Sequence, residues 1–297
     1  DLLFEEAAVN DDTNGFSDTE QIRGMEGIVR QALLSNPMMD VVLLHFVDPG
    51  KMKEIRTGQM PSVIRNHEQV ATHYRIPSID LAREVTERID AGEFTWEKDF
   101  KDLHPAPFGH ELYARSIGRL LNAAWSSNQK PSTVGVRELP APLDPSSYYF
   151  GRLVSPVEVL ESNQATLGPG WKFENPWKPN DKAGTRPGFV NVPALVANET
   201  AATMKLKFKG RGIGVFIASG PDTGNIDYRI DQGEWRTKEL FTQWSRGLHL
   251  PWAIMLASEL KDGSHELELR VSQKSDERSI GHAIRIIHFL MNDPNGS

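Results

Sequence analysis

From Asp99 to Ile117 the sequence reads DFKDLHPAPFGHELYARSI. His104 stands two residues after Asp102 and five after Asp99, with prolines behind it and a helical pattern beyond. A carboxylate beside an imidazole is how hydrolases orient a general base: the acid fixes the tautomer, and the free ring nitrogen takes a proton from a nucleophile. That chemistry needs a nucleophile too. The chain has no cysteine, which excludes thiolate catalysis, disulfides and cysteine-ligated metals. Serines occur in FSDTE and IASGPD, but Ser17 sits three residues before Glu20, the spacing of a helix-capping box. His104 and His110 lie six apart across two prolines without a third ligand, so zinc is not indicated.

A second polar stretch, AVNDDTNG, contains Asn10, an amide able to donate hydrogen bonds to a developing oxyanion. Asparagine and aspartate also build turns, and Asn10-x-Asp12-x-Asn14-Gly15 mimics half a calcium loop. The bidentate glutamate of such a loop would be Gln21, so calcium fails on its strongest ligand. His45 lies in an apolar run and reads as a core residue. Asp48 follows that run and could line a site or turn the chain before Pro49-Gly50.

These residues need elements to hold them. The run from Leu2 to Val9 reads as a strand, and Ile22, Met25, Val29 and Leu33 keep a helical period. DVVLLHFV (Asp40 to Val47) has the continuous apolar character of a parallel strand buried on both faces. A helix is expected from Pro61 to His73, a strand at IPSID and a helix from Leu81 to Ala91. A last helix carries Phe108, Leu112, Tyr113, Ile117, Leu120 and Leu121. Strands alternating with helices indicate an α/β domain with a parallel sheet, whose ligands bind at the carboxyl ends of the strands. Both Asn10 and the His104 loop fall at that edge. Leu2, Leu3 and Phe4 read as interior, so the sheet is expected to lack strands that precede Asp1.

AVNDDTNG and DLHPAPFGHELYA together resemble two sequence blocks of the SGNH (GDSL-type) hydrolases over roughly residues 1–122. The resemblance implies a flavodoxin-like sheet and serine-esterase chemistry without metal or organic cofactor. By it, Asn10 is the oxyanion donor, His104 the general base and Asp102 its orienter. The family pattern is Asp-x-x-His, and Lys101 occupies that position here, which leaves Asp99 as the alternative orienter. The family's serine lies in a Gly-Asp-Ser motif, absent from this sequence. The nucleophile is therefore expected on a missing N-terminal segment or a complementing chain.

Residues 126–147 are rich in Ser and Pro and read as a linker between domains 1–125 and 148–297. Beyond them TMKLKFKG, GIGVFIAS, NIDYRIDQGEW, HELELRVS and HAIRIIHFL are short strands with a hairpin turn at Asp231-Gln232-Gly233, an all-β sandwich or jelly roll. The segment GPDTGNIDYRIDQGEW resembles the sandwich modules attached to some SGNH carbohydrate esterases. That domain carries Trp171, Trp177, Trp235, Trp244 and Trp252. Flat aromatic faces stack on sugar rings, yet sandwich cores also bury tryptophan. Trp235 is expected in the core. Trp244 and Trp252, in the aromatic stretch FTQWSRGLHLPW, are taken with Asp48 as substrate contacts; the stretch is expected to be a long loop reaching toward the α/β site.

A net charge of −7 argues against nucleic acid and anionic membranes as partners, and no apolar run reaches the roughly 20 residues of a membrane span. The expected partner is an acetylated carbohydrate. The compartment stays open, with extracellular or periplasmic placement favoured by the resemblance. The competing readings are a non-catalytic carbohydrate-binding protein and a lipase-like or thioesterase activity.

Overall fold

A computed structural model describes residues 1–126 and 138–295, which fall into two compact units, Asp1–Tyr149 and Phe150–Ser297. In the first unit, β1 (Leu2–Glu5), β2 (Asp40–Leu44) and β3 (Ser78–Ile79) form a parallel sheet in that order. The helices are α1 (Ala8–Thr13), α2 (Asp18–Ser35), α3 (Pro49–Arg56), α4 (Ser62–Tyr74), α5 (Leu81–Asp90) and α6 (Pro107–Ser126). Alternation along β2 explains the layering, because successive side chains point to opposite faces. Val42 and Leu44 pack with Met52 and Ile55 of α3, Leu81 and Val85 of α5 and Leu112 of α6. Val41 and Leu43 pack with Met25, Val29 and Leu33 of α2 and with Val70 and Tyr74 of α4. Both faces are covered, which is why the four residues after the exposed Asp40 are all apolar.

In the first unit the structure departs from the sequence reading at several places, beginning with β1, which ends at Glu5 rather than Val9. The polar cluster after β1 forms α1 rather than a turn, because Asp11 and Asp12 find side-chain partners (below) instead of bonding their own backbone. The turn expected at Pro49-Gly50 begins α3, with Asp48 as its N-cap and Pro49 in its first turn. Leu2 is exposed and Leu3 and Phe4 are only half-buried, since β1 pairs with β2 alone among the described strands. Of the span read as a linker, residues 127–137 lie outside the described residues, and residues 138–147 are held against α2 and α4. There the buried Glu26 carboxylate accepts the Asp144 N–H at 3.0 Å and the Tyr74 hydroxyl at 2.5 Å, and also the Leu143 N–H and Ser147 hydroxyl. Arg23 pairs with Asp144 at 2.7 Å and Arg30 donates to the Pro140 carbonyl at 2.8 Å. Ser17 does cap α2 through a reciprocal box with Glu20.

The second unit is a β-sandwich. It comprises β4 (Gly151–Val154), α7 (Pro156–Glu161), β5 (Ala165–Leu167), β6 (Trp171–Trp177), β7 (Gly184–Thr185), β8 (Val192–Ala197), β9 (Thr203–Lys209) and β10 (Gly212–Ser219). There follow β11 (Ile226–Ile230), β12 (Arg236–Lys238), β13 (Leu248–Ala257), β14 (Ser264–Val271) and β15 (Ile284–Asn292). One sheet runs β6-β8-β15-β10-β13-β7, with β4 beside β15; the other runs β12-β11-β14-β9-β5. Strict alternation in β9 buries Met204, Leu206 and Phe208 against Val215, Ile217, Leu267 and Leu269. Asp231 and Gln232, both at positive φ, make the hairpin turn, and the Gly233 N–H closes it on the Ile230 carbonyl at 2.9 Å.

Candidate active site

His104 is presented by a loop built from both sides. Upstream, one π-helical turn (Trp96–Phe100) starts at Thr95, whose hydroxyl accepts the Lys98 N–H at 3.2 Å. Asp99 accepts the Thr95 N–H at 2.8 Å and the Thr95 hydroxyl at 3.1 Å. Lys101, at φ 77°, then reverses the chain, and the Phe100 carbonyl takes the Ala106 N–H at 3.0 Å. Downstream, α6 sits directly on this turn. A Cβ at Gly109 would lie 2.5 Å from Pro105 Cβ and 2.8 Å from the Phe100 ring, so only glycine permits the approach. Phe100 is fully buried, edge-on to Tyr113 at 5.6 Å.

The loop tip carries the pair. His104 Nδ1 lies 3.3 Å from Asp102 Oδ1, and the same oxygen accepts the His104 backbone N–H at 2.9 Å. That backbone bond, more than the imidazole, holds the Asp102 carboxyl below the usual carboxylate range. Side-chain exposure is 89% for His104 and 64% for Asp102, so the imidazole is open to an incoming group. Its Nε2 has no hydrogen-bond partner among the described residues. Of the two aspartates that the sequence left open, Asp102 adjoins the imidazole and Asp99 is spent on Thr95.

Asn10 lies on α1, just past the carboxyl end of β1. It is exposed, and its side-chain amide makes no hydrogen bond to a described residue, while its carbonyl accepts the Asn14 N–H at 2.8 Å. The surroundings of α1 are buried and charged. Glu6 Oε1 accepts the Val9 N–H at 3.3 Å and the Phe46 N–H at 3.2 Å, tying α1 to the end of β2. Burial raises Glu6 above the carboxylate range, against the pull of those two N–H groups. His67 Nε2 is 3.1 Å from Asp11, and Lys51 Nζ is 3.1 Å from Asp12 and 2.5 Å from Asp48. His45 is buried as expected, with Nε2 2.7 Å from Glu68.

Asp48 caps α3 by accepting the Lys51 N–H at 3.0 Å, and its other oxygen meets the Lys51 ammonium. It is a buried structural group here rather than a residue standing free to meet substrate. Tyr113 of α6 stacks on Phe46 at 4.4 Å and its hydroxyl accepts the Val47 N–H at 3.3 Å. The helix behind His104 and the helix bearing Asn10 are thus both fastened to the carboxyl end of β2. No hydrogen bond or ion pair joins His104 or Asp102 to α1 among the described residues. The sequence reading missed Glu6, His67 and Lys51. A signal existed for Lys51, which shares an apolar helical face with Met52 and Ile55.

In the second unit Trp244 is exposed and Trp252 half-buried, with ring centroids 5.6 Å apart. Only the first part of FTQWSRGLHLPW is loop; Leu248 onward is β13. The loop is pinned by buried hydroxyls, Ser245 lying 2.6 Å from Ser219 and accepting the Thr242 N–H at 2.9 Å. Trp171 and Trp177 are buried. Trp235, expected in the core, instead stands exposed beneath the Arg229 and Arg270 guanidiniums, at 4.8 Å and 4.3 Å, contacts that a surface ring can make.

No family model and no curated relative matches the sequence. Among solved structures, a two-domain esterase described as active on acetylated mannans aligns over 100% of this chain and 74% of its own, at TM-score 0.74 and 17% identity. The same esterase co-crystallised with mannopentaose aligns over 100% and 73%, at TM-score 0.72 and 17% identity. What is shared at this identity is the fold. It is shared across both units.

Proposed function

We propose that this chain is part of an SGNH-type serine esterase that removes O-acetyl groups from a polysaccharide. The observation that carries the reading is the His104–Asp102 pair: an exposed imidazole with a carboxylate at Nδ1 and Nε2 unoccupied, which suits a general base. Agreement of the whole fold with a two-domain esterase supports the same class. In the proposed step a serine Oγ attacks the acetyl carbonyl while its proton passes to His104 Nε2. Asp102 steadies the imidazolium, and the Asn10 amide donates to the oxyanion. Collapse expels the sugar alkoxide, which takes the proton from His104. Water, deprotonated by the same imidazole, then attacks the acyl-serine, and acetate leaves with the serine restored.

The sequence has no Gly-Asp-Ser, so the proposal places the serine on a polypeptide segment outside these 297 residues, pairing with the open edge of β1. Trp244 and Trp252 are proposed to stack on sugar rings. A second reading, a carbohydrate-binding protein without turnover, draws on one observation: no described serine hydrogen-bonds to His104. A fluorophosphonate that esterifies activated serines separates the two, with the modified peptide mapped by mass spectrometry on the complete protein. One labelled serine in a Gly-Asp-Ser segment, with labelling lost in His104→Ala, is expected. No labelling at all would overturn the esterase reading in favour of the binding one.

A further inference from the structure

Asn10 is exposed and its amide makes no hydrogen bond among the described residues, so nothing there fixes where that amide points. Its helix is fixed instead. The two residues after Asn10 reach into opposite partners: Asp11 lies 3.1 Å from His67 Nε2 on α4, and Asp12 lies 3.1 Å from Lys51 Nζ on α3. Both partners are fully buried. Lys51 is itself locked by Asp48, the cap of its own helix, at 2.5 Å. Glu6 fastens the start of α1 by accepting the Val9 N–H. A six-residue helix is too short to be stable alone, so these contacts decide its orientation. Burying a lysine and a histidine is costly unless their partners are held in good geometry, and a device of that cost on both sides of one exposed amide suits a site whose geometry matters.

We propose that Lys51 and His67 are positioning residues for Asn10, clamping α1 so that the amide is preorganised for the oxyanion. The inference rests on the esterase reading and deepens it. An oxyanion donor displaced by about 1 Å can cost on the order of 100-fold in rate, with substrate binding little changed. Deacetylation kinetics of the complete protein provide the test, with a short-chain aryl acetate as the probe. Asp12→Ala, which removes the acceptor for Lys51 at a half-exposed position, and His67→Leu should each lower kcat by about 100-fold with KM within about two-fold. His67→Gln, which keeps a donor toward Asp11, should restore most of the loss. In an Asn10→Ala background neither Asp12→Ala nor His67→Leu should reduce kcat further, because residues acting through one group are not additive. Losses that multiply with Asn10→Ala, or a lowered Tm with unchanged kcat, would overturn the clamp while leaving the esterase standing. If Asn10→Ala alone leaves kcat unchanged, the oxyanion role falls and the clamp with it.

Discussion

Asp102 is the orienter that the sequence resemblance implies, with Asp99 as the alternative, and the structure gives the two different work. Asp99 bonds Thr95 and closes the turn before the loop; Asp102 sits beside the imidazole. Asp99→Asn should therefore cost about 1 kcal/mol of stability, as a weakened cap does, with kcat nearly unchanged. Asp102→Asn should leave Tm unchanged, being exposed, and lower kcat by orders of magnitude; paired thermal-shift and kinetic measurements check both. The His104 backbone N–H holds the Asp102 carboxyl below its usual range, which favours the ionised form beside the imidazole. Asp102→Asn should lower the plateau of kcat/KM. Spacing left Asp99 as an alternative, because the positive φ at Lys101 that turns the segment and parts the two carboxylates is announced by no residue pattern. Trp235 misled for a related reason: one of the two arginines over its ring, Arg270 of β14, is remote in sequence.

At the scale of elements, the strands and long helices were legible because their apolar periods are undiluted. The short helices were not. In α1 the helix is held by Lys51 and His67 from other helices, and in α3 the buried face includes a lysine that breaks the apolar count. β9 shows the legible extreme. Leu206→Ala, at a fully buried site, should cost about 2–5 kcal/mol, whereas Lys205→Ala beside it should leave the unfolding midpoint nearly unchanged, read from denaturant unfolding. The hairpin turn between β11 and β12 carries a pH dependence. Asp231 Oδ2 lies 2.6 Å from His265 Nδ1. Burial alone would lower the His265 pKa, but Asp231 and the Lys261 carbonyl outweigh it and the net shift is upward. The protonated imidazole is thus favoured by folding. Its contribution is complete below the unfolded value of 6.5 and is lost as pH rises through the raised folded value. Against a His265→Gln reference, the Tm advantage of the natural protein should shrink steadily from pH 6 toward alkaline pH. An advantage that grew over that range would contradict the pairing.

For the whole molecule, two units could be read from the switch between a period near 3.6 and a period of 2 along the chain. The boundary was harder, because residues 138–147 have the composition of a linker yet are fastened to α2 by the buried Glu26. A single carboxylate satisfied from four sides is invisible to composition. Function at this scale rests on one claim, that His104 serves an esterase acting on an acetylated polysaccharide. Acetate released from a panel of O-acetylated polysaccharides by the complete protein, beside its His104→Ala variant of equal Tm, is the direct measurement. The account predicts steady release by the natural protein and a loss of at least about 1,000-fold in the variant. No release by the natural protein, or release by the variant within a few-fold of it, would contradict the account.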